Sequence, residues 1–289
     1  MQEHSTLRQI LDRPEPVVAP LVLNPLMAKL AERAGFPALY LGGGSLGYLT
    51  CFTEANLSLT EMAQAALDIR AACGLPLILD GACGWGDPMH MRRTIPLAEA
   101  AGFAAIEIED QILPKRAHHH IGLEHIIPRE LMVAKVAAAV AARRSRDFLI
   151  IARTNAARQE NGLEEALRRG EAMRAAGADI LLILPGKSDH ARIIGEALPG
   201  PKMFMLSGTR LSETGMSMKQ LAALGYRLFV DPTTPLMVMH RALRQCYAAM
   251  RAGEADPLIG VDTRGEQAAL HETIDLEALL AIERRTVER

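Results

Sequence analysis

The chain has 289 residues, 49% of them hydrophobic and 23% charged, enough for one large domain with a sizeable core. Its 32 Lys and Arg nearly balance 34 Asp and Glu, so the formal net charge is −2. That balance gives no electrostatic footprint for nucleic acid or an anionic membrane, and 4% aromatic content offers little for bases to stack on. No run of about 18 apolar residues occurs, so no membrane-spanning helix is expected. The opening MQEHSTLRQILDRPEP lacks the basic and apolar regions of a secretory leader. Cys51, Cys73, Cys83 and Cys246 are scattered, without CxxC or zinc spacing, and read as reduced thiols of a cytoplasmic protein.

Taken in chain order, eight apolar runs predict strands: Pro20–Asn24, Ala38–Leu41, Leu75–Asp80, Ala104–Glu109, Phe148–Thr154, Ile180–Leu184, Lys202–Leu206 and Arg227–Val230. Helical stretches lie between them, among them Leu59–Cys73, Pro128–Arg143, Leu163–Ala176 and Pro235–Arg251. A recurring joint links helix to strand: small residues, a glycine, then an apolar run. It reads AERAGF, AACGLP, EAAGFA, RAAGAD and AALGYR, around Gly35, Gly74, Gly102, Gly177 and Gly225. Glycine just past a helix takes a left-handed conformation at no steric cost, so a strand can follow at once. Eight such units in roughly 250 residues is the arithmetic of an α/β (β/α)₈ TIM barrel. A doubly wound sheet usually has fewer strands and a GxGxxG after the first, which is absent here. No linker divides the chain, so residues 1–289 read as a single barrel domain. Residues 252–289 form a C-terminal helical extension, helical from about Leu270 to Arg284, and a plausible oligomerisation element.

In such a barrel the chemistry belongs on the loops after the strands. Those positions hold Asn24, Gly42 to Ser45, Asp80, Glu107, Glu109, Asp110, Arg153 to Asn155, and Ser207. Carboxylates from neighbouring strands with an arginine opposite suit a hard divalent cation and an anionic substrate. The plainer reading pairs Glu107 and Glu109 with Arg153 or Lys115 in salt bridges. Gly42, Gly43 and Gly44 present backbone N–H groups to a carboxylate or phosphate, or simply form a tight turn. The run PKRAHHHIGLEH is either a solvated basic loop or a mobile lid over an anion. Adjacent histidines on a regular strand or helix cannot all face one metal, which argues against zinc.

These motifs, YLGGG at 40–44, LILDGACGWG at 77–86, IEIEDQ at 106–111, PKRAHH at 114–119 and IARTNA at 151–156, resemble in order the isocitrate lyase / phosphoenolpyruvate mutase superfamily, from about Leu21 to Arg251. The resemblance implies a (β/α)₈ barrel, usually a homotetramer of helix-swapped dimers. It implies Mg²⁺ (or Mn²⁺) chemistry on small 2-hydroxy or 2-oxo acids through an enolate. On it, Asp80 matches the direct metal ligand, Glu109 a carboxylate acting through water, and Glu54 falls near an outer aspartate. Gly43 and Gly44 match the substrate-carboxylate turn, with Gly42 and Tyr40 beside it, while Arg153 matches a substrate-binding arginine and is also a candidate catalytic group, and Asn155 and Ser207 are further candidate substrate-binding residues. Residues 114–124 correspond to the gating loop, in which Lys115, His118 and His119 are candidate catalytic groups.

The sequence departs from that pattern at three places. Ala82 stands where the metal motif has a second acid. Ala117 stands where the lyases carry a proton-donating cysteine, and Leu184 or Pro185 replaces a sixth-strand glutamate. The reading these support is a metal-dependent lyase or decarboxylase cleaving a C–C bond of a 2-oxo or 2-hydroxy dicarboxylate, the proton coming from water or His118/His119. The alternatives are a phosphonate mutase or hydrolase, and a non-catalytic ligand-binding member. Trp85, Leu184, Phe204, Ser207 and Tyr48 are expected to line the pocket beyond the carboxylate site, leaving room for an apolar arm.

Overall fold

A computed structural model describes residues 5–207, 210–261 and 263–287. Eight strands, β1 (Val17–Pro20), β2 (Leu39–Leu41), β3 (Leu77–Asp80), β4 (Ala105–Glu109), β5 (Leu149–Thr154), β6 (Ile180–Ile183), β7 (Lys202–Met205) and β8 (Tyr226–Asp231), form one parallel sheet. The sheet runs β1-β8-β7-β6-β5-β4-β3-β2 and closes through a parallel bridge between Leu21 and Tyr40. This is a (β/α)₈ TIM barrel.

The first strand begins three residues earlier than the apolar run predicts. Leu21, Val22 and Leu23 are buried all the same, because this stretch makes the closure: Leu21 N–H donates to Asp231 and Val22 N–H to Tyr40. Asn24 belongs to a helix, not a site. Its side chain accepts from Met27 N–H at 2.9 Å and caps Pro25–Arg33. Four of the five joint glycines hold φ between +85° and +100°, as a left-handed turn requires. Gly74 is the exception, because the preceding helix Leu59–Ala72 already ends on extended Cys73.

Two-residue alternation sorts each strand between two cores. Val17, Ala19, Ala38, Tyr40, Ile78, Ala105, Leu149, Ile151, Leu182, Met203 and Leu228 fill the barrel interior, plugged below by Leu7, Ile10 and Leu11 of the helix Leu7–Leu11. The opposite set, including Leu39, Leu79, Ile106, Ile108 and Ile150, packs against the helices. Phe204 joins that outward class, against Tyr226 and Phe229, so it does not line the pocket. Continuing the inward alternation to the strand ends places Asp80, Glu107, Glu109 and Arg153 at the mouth. The sheet register then sets Asp80 beside Glu107 and Glu109 beside Arg153.

The C-terminal extension is two helices, Arg264–Thr273 and Leu276–Thr286, separated at Asp275, whose φ of +55° breaks the run. The helix Thr234–Ala252 buries only Ala249 and leaves Met237, Val238, Tyr247 and Met250 largely exposed. Among the described residues, no helix is long and apolar enough to cross a membrane.

Candidate active site

Arg153 is the hub. Its Nη1 donates to Glu107 at 2.7 Å, its Nε lies 3.2 Å from Glu109, and Nε and Nη2 each reach Asn155 Oδ1 at 3.2 Å. Glu107 also accepts from the buried Tyr40 hydroxyl at 2.8 Å. Glu109 accepts from Asn155 Nδ2 at 3.0 Å and from Lys115 at 2.5 Å. Lys115 reaches on to Glu54 at 3.0 Å, which ties residue 115 of the loop to the barrel mouth. The expected salt bridges of Glu107 and Glu109 with Arg153 and Lys115 are therefore present, inside the same cluster as the candidate site residues.

Environment separates the carboxylates. Burial pushes Glu107 up to about 7, with Asp80 adding to the rise and Arg153 opposing it. Burial acts on Glu109 too, but Arg153 and Lys115 outweigh it and hold that carboxyl down at about 2. Asp80 is raised by burial, against the pull of Lys115 and Arg153. Lys115 would be lowered by burial, yet Glu109, Glu54 and Asp80 keep its ammonium firmly charged. Burial, then Asp80 and Glu107, raises Tyr40 well above the usual phenol range, so it stays a hydrogen-bond donor.

The loop after β3 is strained and braced. Ala82 and Trp85 hold φ of +45° and +55°, a conformation costing a non-glycine residue about 1–2 kcal/mol. Asp80 accepts from Ala82 N–H at 3.1 Å and from Gly43 N–H at 3.0 Å. Trp85 Nε1 donates to Leu57, Thr94 to Gly84, and the buried Lys135 ammonium to the Cys83 carbonyl at 3.0 Å. Lys135 was legible as the one cation on the apolar face of Met132, Val136 and Ala139. Trp85, Leu57, Glu54, Ala82 and Lys115 line a cavity of about 440 Å³ at the mouth.

The loop 114–124 stands on a short stem. Ile112 N–H donates to His125 and Ile127 N–H to Asp110, while the buried Glu124 takes Arg158 at 2.6 Å and also Gln111. His119 turns inward, 2.5 Å from Glu54, whereas His118 is exposed and lies against the His125 ring. His120, not singled out from sequence, also reaches toward Glu54, at 3.6 Å, and contacts the Tyr48 hydroxyl at 2.8 Å. Two neighbouring histidines do converge, because Ala117–Ile121 is a tight 3₁₀ turn ended by left-handed Gly122 rather than a regular helix. Tyr48 is half exposed, and Leu184 is buried inside the barrel. Ser207 stands two residues past β7, and among the contacts of the described residues none joins it to Asp80, Glu107, Glu109 or Arg153.

The oxygen donors Asp80, Glu109 and Glu54 are the set a hard dication takes. Gly43 and Gly44 leave them open: a Cβ at Gly43 would lie 3.4 Å from Asp80 Oδ2, and one at Gly44 would lie 3.7 Å from Glu54 Oε2. Gly42 caps the helix Gly43–Leu49, whose first-turn N–H groups at Gly44 and Ser45 have no carbonyl partner within it. The residues fit a metal and a carboxylate side by side.

Known proteins place this arrangement. A family model described as phosphoenolpyruvate phosphomutase matches residues 7–251. A 2,3-dimethylmalate lyase from Eubacterium barkeri is 35% identical over 98% of both chains. An oxaloacetate decarboxylase from Paraburkholderia xenovorans (strain LB400) is 37% identical over 68% of this chain and 66% of its own. The crystal structure of a phosphonopyruvate hydrolase with oxalate and Mg²⁺ superposes with a TM-score of 0.83 at 29% identity, over 99% of this chain and all of that one. The chain belongs to the phosphoenolpyruvate mutase/isocitrate lyase superfamily.

Proposed function

We propose that this protein is a divalent-metal-dependent carbon–carbon lyase of the decarboxylase kind, acting on a small 2-oxo dicarboxylate. The observation that carries the reading is the buried mouth cluster, with Arg153 fixed between two carboxylates of opposite protonation tendency, beneath a lid whose residue 117 is an alanine. The N–H groups of Gly44 and Ser45 would hold the substrate carboxylate next to the 2-oxo group. The Arg153 guanidinium, oriented by Glu107, Glu109 and Asn155, would face the oxygen that gains charge as the bond breaks. A Mg²⁺ or Mn²⁺ ion held by Asp80, with Glu109 and Glu54 around it, would supply Lewis-acid charge to the same substrate.

In this reading the bond between C3 and the distal carboxyl breaks and CO₂ departs. Its electron pair passes to the 2-oxo oxygen, giving an enolate, and a proton from water completes C3. That sequence needs no acid from the lid, so Ala117 is compatible with it, whereas an aldol-type lyase must protonate a departing carbanion. His119, half-buried against Glu54, is the lid imidazole placed nearest the mouth, while His118 faces solvent. We further infer a cytoplasmic homotetramer with exchanged terminal helices, supported by the apolar face of Thr234–Ala252 and by four free thiols.

A screen of 2-oxo and 2-hydroxy dicarboxylates, with and without Mg²⁺ and followed by NMR, tests the reading. It expects a metal-dependent 2-oxo monocarboxylate and CO₂. An aldehyde or a second keto acid would favour the aldol-type lyases instead, phosphate release from a phosphonate the hydrolase, and no turnover a binding protein.

A further inference from the structure

A second set of donors, sharing Glu54 with the mouth carboxylates, converges where the lid meets the barrel body. Glu54 opens the 3₁₀ turn Glu54–Asn56 of the body, and His119 and His120 belong to the lid turn Ala117–Ile121. Their ligand atoms all lie within 4.8 Å of one another. The Glu54 side chain is 8% exposed, and its buried Oε2 has no hydrogen-bond partner among the described residues. That oxygen stands 3.6 Å from His120 Nε2. Two donors each bound at about 2.0–2.1 Å around a tetrahedral ion stand about 3.3 Å apart, so the spacing suits a shared ion.

The far sides of both imidazoles are already engaged. His119 Nδ1 lies 2.6 Å from the Arg116 carbonyl, to which it can only donate, so Nε2 is the nitrogen that would ligate, the ion taking the place of the proton it shares with Glu54 at 2.5 Å. His120 Nδ1 lies 2.8 Å from the Tyr48 hydroxyl. Outer partners of this kind orient metal-bound histidines.

We propose that Glu54, His119 and His120 form a second cation site that fastens the lid to the barrel. Two imidazole nitrogens and one carboxylate oxygen select a borderline ion of the Zn²⁺ or Co²⁺ class over Mg²⁺. Binding needs the 2.5 Å approach of His119 to Glu54 to open by less than about 1 Å, while Lys115 stays on Oε1 and Glu109. Because body and lid each supply ligands, the ion pins the lid closed and stalls exchange of substrate and product. The consequence for turnover rests on the lid reading of residues 114–124, but the binding itself does not.

The test keeps Mg²⁺ saturating, titrates Co²⁺ by its visible absorption and Zn²⁺ by calorimetry, and follows trypsin cleavage after Arg116. Wild type should take up one Co²⁺ or Zn²⁺ equivalent, and Zn²⁺ should slow the cleavage. His120→Ala and His119→Gln should each weaken binding by about a hundredfold or more, Tyr48→Phe by about tenfold, and His120→Ala should abolish the protection. Asp80→Ala should retain the site. Failure of wild type to bind, binding that survives both histidine substitutions, or binding lost in Asp80→Ala alone would each overturn the proposal. None of these readouts uses turnover, so they stand or fall separately from the decarboxylase reading.

Discussion

Arg153 holds Glu107, Glu109 and Asn155 at once, so a substitution there probes structure and chemistry together. Lysine keeps the charge but cannot span those partners with a planar fork. Arg153→Lys should lower kcat/KM by about 10²-fold or more, the size expected when a fixed donor to a developing oxyanion is lost. Steady-state kinetics beside a melting curve checks this: activity that falls only in step with the folded fraction would make Arg153 a purely structural partner. Ala82 invites the opposite change. Its left-handed backbone suits aspartate better than alanine, because a short polar side chain tolerates that region. Ala82→Asp should tighten Mg²⁺ binding about tenfold by calorimetry, as an added outer carboxylate does. Unchanged or weaker affinity would show that residue 82 does not face the ion.

Among the elements, the strand ends were readable and the loop 114–124 was not. Period-2 alternation in AIEIE and LIIART places Glu107, Glu109 and Arg153 inward, since each continues a row of apolar residues that fill the barrel. No such period governs HHHIG. Which histidine turns inward depends on a 3₁₀ turn and a left-handed glycine, so sequence alone does not separate His118 from His119, nor bring His120 forward beside them. Likewise Phe204, apolar and near a strand end, belongs to the outward row. β7 offers a test of how the barrel tolerates a buried charge. Lys202 donates to the carbonyls of Leu198 at 2.6 Å and Gly200 at 3.1 Å, yet burial, helped by Arg174, lowers it to about 8. The unfolded chain then binds more protons than the native one from pH 8 up to the ordinary lysine value near 10.4, so this group adds stability as pH rises through that window. Below pH 8 both states are charged and the gain is absent. Denaturant melts at pH 7.5 and 10 should therefore show wild type gaining on Lys202→Met at the higher pH; parallel behaviour would show that the ammonium is not desolvated.

For the whole molecule, the count of βα units made the barrel legible, but the C-terminal extension was only half read: its break at Asp275 carries no glycine or proline signal. The exposed apolar residues of Thr234–Ala252 call for a cover. A tetramer built by exchanging the last helices would bury Met237, Val238, Tyr247 and Met250, so light scattering should give about four times the 31.4 kDa chain mass. Met237→Glu with Tyr247→Lys should shift that mass downward, and a wild-type monomer at micromolar concentration would contradict the assembly. The proposed function makes Asp80 and the mouth cluster the seat of a metal-dependent decarboxylation. Oxaloacetate carrying ¹³C in the carboxyl next to C3 tests it most directly, with the spontaneous reaction subtracted and wild type compared with Asp80→Ala. Labelled CO₂ is expected from wild type with Mg²⁺, stopped by a chelator and reduced to background in Asp80→Ala; label recovered in acetate, or left in unreacted substrate with wild type and Mg²⁺, would contradict the decarboxylase reading.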